Sequence, residues 1–534
     1  MNDCRFSSAA SSASPSVPPP PPSPASPSSS SVPSLRLSLV ALLVGLSGAF
    51  HFGIQITITN PSQQTFLLFL NSSLRINYGK RMETKQLEVF WSLIVSMLFL
   101  GAIFGSLSIR PLADRFGRLR VLFFSNLLCS FSLFCSAFSY FLNRFELLCL
   151  SRFGIGFSLA LCLGLAGIFL AECSPKYCRG FVSMSTGALL QLGTVFGSFV
   201  AIPRVLGSAN LWWVIFTIEG TQLLATTIIL TMVAEESPSF LLLRNNETHA
   251  RHSLAFYHNC SGQILEERMG ELRRETLRMS ILIWLFHFRI GSVVSLSMAF
   301  SGIAVINAFA VELFRTTGVS EYWASIDNVG LALLSLASNI ASALLIDRFG
   351  RRRLLLVTLT VILLMNFVIS GLMYAYAKTE LSWLGLCLIV AISLFTVAFA
   401  FGPGPICYFL ASELVEQNAR SAAQGWANLC QMISRAFLLA IFLPLRTSIG
   451  VASAYFLLFV MPILVALLFL FFNLPETKRR DICEVRHGMR KLPHLPNKVT
   501  KVAVFCGGKS SAQRPKIGWT NIVVNEEEEK KRDK

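Results

Sequence analysis

The pentapeptide Asp-Arg-Phe-Gly-Arg occurs twice in the chain, at Asp114 to Arg118 and at Asp347 to Arg351, each time after one strongly apolar stretch and before another. A charged loop repeated between apolar segments of membrane length points to a duplicated membrane protein. The copies lie a little over two hundred residues apart, far beyond the period of about 20–50 residues that marks a solenoid, so each half must be a multi-helix unit.

Composition agrees. Of 534 residues, 53% are hydrophobic and 14% charged, and the mean hydropathy is +0.59, outside the balance of a soluble globular domain. The formal charge of +17 does not argue for nucleic acid, because Lys and Arg sit in short clusters between apolar runs and in the tail, where basic loops beside a bilayer place them. The 13 cysteines form no C-x-x-C pair or Cys/His cluster, so neither a disulfide framework nor a metal or redox site is expected.

A spanning helix needs about 20 apolar residues, and twelve segments qualify. The first six are Leu37–Ile58, Val89–Ile109, Val121–Phe141, Leu147–Leu170, Phe181–Ile202 and Leu211–Val233; the second six are Phe288–Phe314, Trp323–Ile346, Leu354–Tyr376, Trp383–Leu410, Ala422–Pro444 and Ala454–Asn473. The expected fold is all-α and polytopic, with two pseudo-symmetric six-helix halves at 37–233 and 287–475. A Ser/Pro-rich, disordered tail covers 1–36, a central loop with short solvated helices covers 234–286, and a basic then acidic tail covers 476–534. Gly101-Ala-Ile-Phe-Gly105 is a small-residue helix-packing pattern rather than a phosphate loop.

Arginines cluster in alternate loops: Arg110, Arg115, Arg118 and Arg120; Arg179 with Lys176; Arg348 and Arg351 to Arg353; Arg420. The positive-inside rule assigns this face, with both termini and the central loop, to the cytoplasm. The opposite side then carries Asn71-Ser72-Ser73, an N-glycosylation acceptor, whereas Asn246 and Asn259 fall in the central loop and are expected to stay unmodified. The plasma membrane is the expected location, with an internal membrane as the alternative.

Further charges punctuate the segment ends: Arg152, the run Glu172 to Arg179, and Glu236 in the first half, with Glu413, Arg420 and Glu476 in the second. Paired across helix ends, these residues and the pentapeptides' Asp114, Arg115, Arg118, Asp347, Arg348, Arg351 and Arg352 form a charge lock on the cytoplasmic mouth. Such a lock must be marginal, since transport needs both states populated.

With these residues in place the chain resembles the facilitative glucose-transporter family, the sugar porters of the major facilitator superfamily, over about Leu37 to Val485. The resemblance rests on both pentapeptides, Arg152-Phe-Gly, Glu172-Cys-Ser-Pro with Arg179-Gly, Gln191-Leu-Gly, Glu236-Ser-Pro-Ser-Phe-Leu-Leu, Gly402-Pro-Gly-Pro, Glu413-Leu, Arg420-Ser-Ala-Ala and Pro475-Glu-Thr-Lys. Val89 to Ser96 is similar to the branch that includes fructose and urate carriers. The resemblance implies alternating access about a mid-membrane solute site, with Gly402, Pro403, Gly404 and Pro405 as a hinge.

Gln191 fits that site: it lies ten residues into segment five, about 15 Å deep. The C-terminal half departs from the family pattern, with Met298, Ala299, Ala304, Ser335, Ala400, Tyr408, Gln431 and Arg435 where the family carries amides, an acid and a tryptophan. The expected solute contacts are therefore Gln191, Gln55, Ser335, Tyr408, Gln431 and Arg435. A guanidinium inside a membrane helix marks either a substrate path or a structural pair, and both readings of Arg435 stand, with Asp327, Asn328 and Glu312 as possible partners. Gln55 replaces the aspartate of proton-coupled relatives, and an amide does not titrate, so uniport is favoured.

The leading function is facilitative transport of a hexose or a related small polar solute. Alternatives are an organic-anion, urate-like carrier using Arg435, and a non-transporting sensor or scaffold with a degenerate sugar site. No nucleophile elbow, P-loop or metal cluster supports an enzyme, and no cofactor is expected. The partners are the solute and the lipid bilayer, with no nucleic acid; oligomeric state is open.

Overall fold

The computed structural model describes residues 33–476 apart from 60, 80–81, 176, 277–280, 308–320, 380 and 416–419. Among the described residues all regular structure is helical. Expectations for the two tails, for Lys176 and for Glu312 fall outside them, as do the side chains of Asp347 and Arg348.

In the first half, α1 (Leu35–Ser47) and α2 (Ala49–Thr57) form one broken span, followed by α3 (Gln63–Tyr78), α4 (Thr84–Phe116), α5 (Arg118–Leu142), α6 (Phe145–Cys173), α7 (Arg179–Val200) and α8 (Trp212–Val233). Between the halves run α9 (Pro238–Leu243), α10 (Glu247–His258) and α11 (Gly262–Thr276). The second half holds α12 (Ile281–Ala299), α13 (Glu321–Phe349), α14 (Arg351–Thr379), α15 (Ser382–Phe401), α16 (Pro403–Leu414), α17 (Arg420–Ile449), α18 (Val451–Tyr455) and, after a π-helical turn at Phe456–Val460, α19 (Met461–Asn473). α12 thus begins inside the expected central loop.

Eleven of the expected spans are long and apolar enough to cross a membrane among the described residues. The remaining one, α7, has the length, at 22 residues, but is diluted by Ser183, Ser185, Thr186, Gln191, Thr194 and Ser198. A polar helix persists in a bilayer only where protein or a wet cavity covers it. Its Ser183, Thr186, Gln191, Thr194 and Ser198 are all buried.

α4 and α6 approach until backbones touch. A Cβ at Gly101 would stand 2.0 Å from the Phe153 carbonyl oxygen, and one at Gly105 2.2 Å from that of Phe157, the close contact that small residues permit between membrane helices. Lipid-facing positions carry exposed side chains such as Phe124, Phe131, Leu150 and Met232.

The helix α3 was not expected from the sequence. Its buried Thr65, Phe66, Phe69, Leu70, Ser73 and Leu74 recur at helical spacing. Phe66 stacks on Trp91 at 4.8 Å and Phe69 meets Trp212 at 5.1 Å between ring centroids, each burial worth roughly 1.5–3 kcal/mol. Asn71 lies exposed on the other side of this helix.

The span from α15 to α16 breaks at Gly402 for a reason legible in its prolines. Pro405 has no N–H to offer the Phe401 carbonyl four residues back. Ser342 of α13 donates its hydroxyl to that oxygen instead, and Asn339 donates to the Ala400 carbonyl at 3.4 Å.

Candidate functional site

Both pentapeptides are built the same way. In the first, Glu236 accepts from the backbone N–H groups of Arg118 at 3.0 Å and Leu119 at 3.1 Å. In the second, Glu476 accepts from those of Arg351 at 3.0 Å and Arg352 at 3.2 Å. Each acid satisfies orphan donors at a helix start and opposes the positive end of the helix dipole. The arginine that follows each glycine then pairs with a third acid: Arg118 with Glu172 at 3.1 Å, and Arg351 with Glu413 at 3.5 Å. Ser237 donates to the other oxygen of Glu172. Burial raises the Glu236 carboxyl above its ordinary value, against the pull of the three N–H groups it accepts from.

These pairs lie within each half rather than across the two. One polar link between the halves at this face is Ser421 of α17 donating to Asp114 of α4 at 3.1 Å. Arg115 turns onto Phe116 at 5.3 Å, and Arg352 donates to the Phe471 carbonyl at 2.8 Å. Arg420 is fully buried. Arg179 is half-buried with its Nε unpartnered.

Arg152 does not belong to this cluster. It is seven residues past the start of α6, whereas the pentapeptide face lies at that helix's other end, near Cys173. It donates to Gln55 Oε1 at 3.1 Å. Gln55 in turn donates to Glu219 Oε2 at 2.7 Å, and Glu219 Oε1 lies 3.2 Å from His51 Nδ1. All four are buried. The sequence reading missed Glu219, which belongs to no motif and sits alone in an apolar segment; a lone acid in such a segment was itself the available signal. Gln55 is accordingly held by this network rather than free to meet a solute.

A cavity opens between the halves. Gln191, Ser335, Tyr408 and Arg435 all line it, together with Thr194, Ser198, Asn328 and Asn339, which sequence reasoning did not assign. Gln191 accepts from Thr194 at 3.1 Å. Tyr408 Oη is buried with no hydrogen bond. Gln431 is absent from the lining and points its amide at the Met298 sulfur. Asn328 donates across the halves to Ser198 at 3.3 Å and is not a partner of Arg435. Arg435 is 5% exposed; it stacks 5.6 Å from the Phe52 ring centroid and leaves Nε without a partner. No carboxylate pairs with it among the described residues.

Two six-helix halves, related by repeated helix-start clusters and enclosing a polar cavity at their seam, define a membrane transporter of the major facilitator fold and not an enzyme. The chain belongs to the sugar (and other) transporter family, whose model matches residues 40–488. It is 29% identical over 463 residues to the facilitated glucose transporter member 1 of Gallus gallus, covering 83% of this chain and 91% of that one. Against member 7 of Mus musculus the identity is 26% over 498 residues, 88% and 96% of the two chains. Among solved structures, the proton:xylose symporter XylE bound to 6-bromo-6-deoxy-D-glucose is similar with a TM-score of 0.75 at 20% identity, covering 85% of this chain and 98% of that one. Resemblance to the fructose and urate branch in particular has no support beyond Val89 to Ser96.

Proposed function

We propose that this chain carries a hexose or a related small polar solute down its gradient by alternating access, without ion coupling. The observation that carries the reading is the seam cavity, where Gln191, Ser335, Asn328, Asn339 and the unpartnered Tyr408 hydroxyl converge. A hydroxyl-rich solute is recognised by convergent donors and acceptors of this kind. The names of the relatives, facilitated glucose transporters, agree with a sugar as cargo.

Uniport is favoured because Gln55 cannot titrate. The pentapeptide face is cytoplasmic in this reading, with α3 and Asn71 outside. A glycan removable from the wild type and absent from Asn71→Gln tests that sidedness; a glycan surviving the substitution refutes it.

The deciding measurement is uptake of labelled glucose, fructose and urate into proteoliposomes, with and without an imposed pH gradient. Saturable, gradient-independent sugar entry supports the proposal. Sugar accumulation driven by protons replaces uniport with symport. Urate entry that is lost in Arg435→Asn makes this the organic-anion carrier, and no entry of any solute leaves the fold as a sensor.

A further inference from the structure

A second cavity lies beside the first, on the side away from the pentapeptides. Its lining includes Gln55, Thr59, Asn307, Arg152 from the first half and Arg435 from the second. Both arginines are more than nine-tenths buried, at 1% and 5% exposure. Arg152 spends only one nitrogen on Gln55, and its Nε and Nη2 are buried without partners; so is Nε of Arg435. Guanidinium donors left without hydrogen-bond partners at this depth are costly, and here two arginines face one space.

Among the described residues the acid beside these arginines is Glu219 on α8; it is bonded to Gln55 and His51, and it does not line the cavity. The Gln55 amide stands between it and Arg152, accepting from the arginine and donating to the acid. Asp327 on α13 is likewise absent from the lining.

We propose that this cavity is a binding site for a small monovalent anion, a halide or a short carboxylate, held between Arg152 and Arg435. Fixed, buried guanidinium donors recognise such an anion strongly. Because the arginines belong to different halves, the anion bridges α6 and α17. It therefore stabilises the arrangement in which those helices are close, and not one in which they have separated. The site is distinct from the contacts proposed for the sugar, although Arg435 borders both cavities.

The test uses the purified full chain in lipid nanodiscs, melted at constant ionic strength in sodium morpholineethanesulfonate, chloride, acetate or lactate. Relative to the morpholineethanesulfonate, a bulky anion with no sugar-like hydroxyl, the bound anion is expected to raise the melting temperature by about 2–4 °C. A rise in chloride alone identifies a halide, and one in acetate and lactate alone a carboxylate. Arg435→Gln is expected to lose the rise and Arg435→Lys to keep part of it. The proposal is overturned by equal melting in all four salts, or by a rise that survives undiminished in Arg435→Gln. If Arg435→Gln does not fold, calorimetric titration of chloride and acetate into the wild type decides, and the absence of saturable heat overturns it. No sugar enters the experiment, so its outcome is independent of the hexose reading.

Discussion

Glu236 and Glu476 do the same work at equivalent points of the two halves: each carboxylate lies against the glycine of a pentapeptide and accepts from the first N–H groups of the helix that follows. Gly117 has φ +99° and Gly350 φ +88°, a region that favours glycine. A Cβ would also stand 2.5 Å from Glu236 Oε2 in the first copy and 2.6 Å from Glu476 Oε2 in the second. The repeated motif is therefore a seat for a carboxylate as much as a loop.

Gly117→Ala and Gly350→Ala are each expected to lower stability by about 2–4 kcal/mol, combining backbone strain with displacement of the capping acid. Glu236→Ala alone should cost about 1–2 kcal/mol. Thermal unfolding in detergent measures all three. A glycine substitution no more harmful than the loss of its acid would show that the backbone relaxes freely.

Within the seam cavity, Tyr408→Phe removes a hydroxyl that no protein atom satisfies. Stability should change by less than about 0.5 kcal/mol. If the hydroxyl meets the solute, KM should rise about tenfold, the equivalent of one hydrogen bond. Gln191→Ala is expected to raise KM similarly. Uptake kinetics beside melting curves separates the two effects, and an unchanged KM in both variants would remove them from the site.

His258 ends α10 with Nε2 buried and unpartnered. Burial, with Arg268 and Arg179 nearby, lowers its pKa to about 4 from an ordinary value of 6.5. The unfolded chain then binds the proton more readily than the folded one between those values. Stability is full above pH 6.5 and falls as the pH drops towards 4, by about 3 kcal/mol over the window. His258→Gln should flatten that slope in a pH series of melting temperatures; a slope unchanged by the substitution would assign it to other groups.

Much of this was legible in the chain. The doubled pentapeptide announced two halves, the apolar runs located the spans to within a few residues, and the prolines after Gly402 located the break in the tenth. What failed was depth and partnership. Arg152 was grouped with the pentapeptide charges because it falls near a segment end, yet seven residues past the start of α6 is the end of that helix away from the pentapeptides. Gln431 looked like a solute contact because its type was right, and only packing against Met298 shows where its amide goes. The pairing of Glu172 with Arg118 inside one half depends on how helices fifty residues apart in sequence come together, which no spacing encodes.

Ser421 bonds to Asp114 across the seam near the pentapeptides, and Asn328 to Ser198 across it at the other end. Each link is worth about 1 kcal/mol net, small enough to be broken in every transport cycle and large enough to shift a two-state balance about fivefold. Ser421→Ala should therefore favour opening at the pentapeptide face, and Ser198→Ala opening at the other. Hydrogen exchange reads this directly. Ser421→Ala should speed exchange at the start of α17 and the end of α4, and Ser198→Ala at the end of α7 and the start of α13. Identical exchange maps for the two variants would mean that neither bond gates a face.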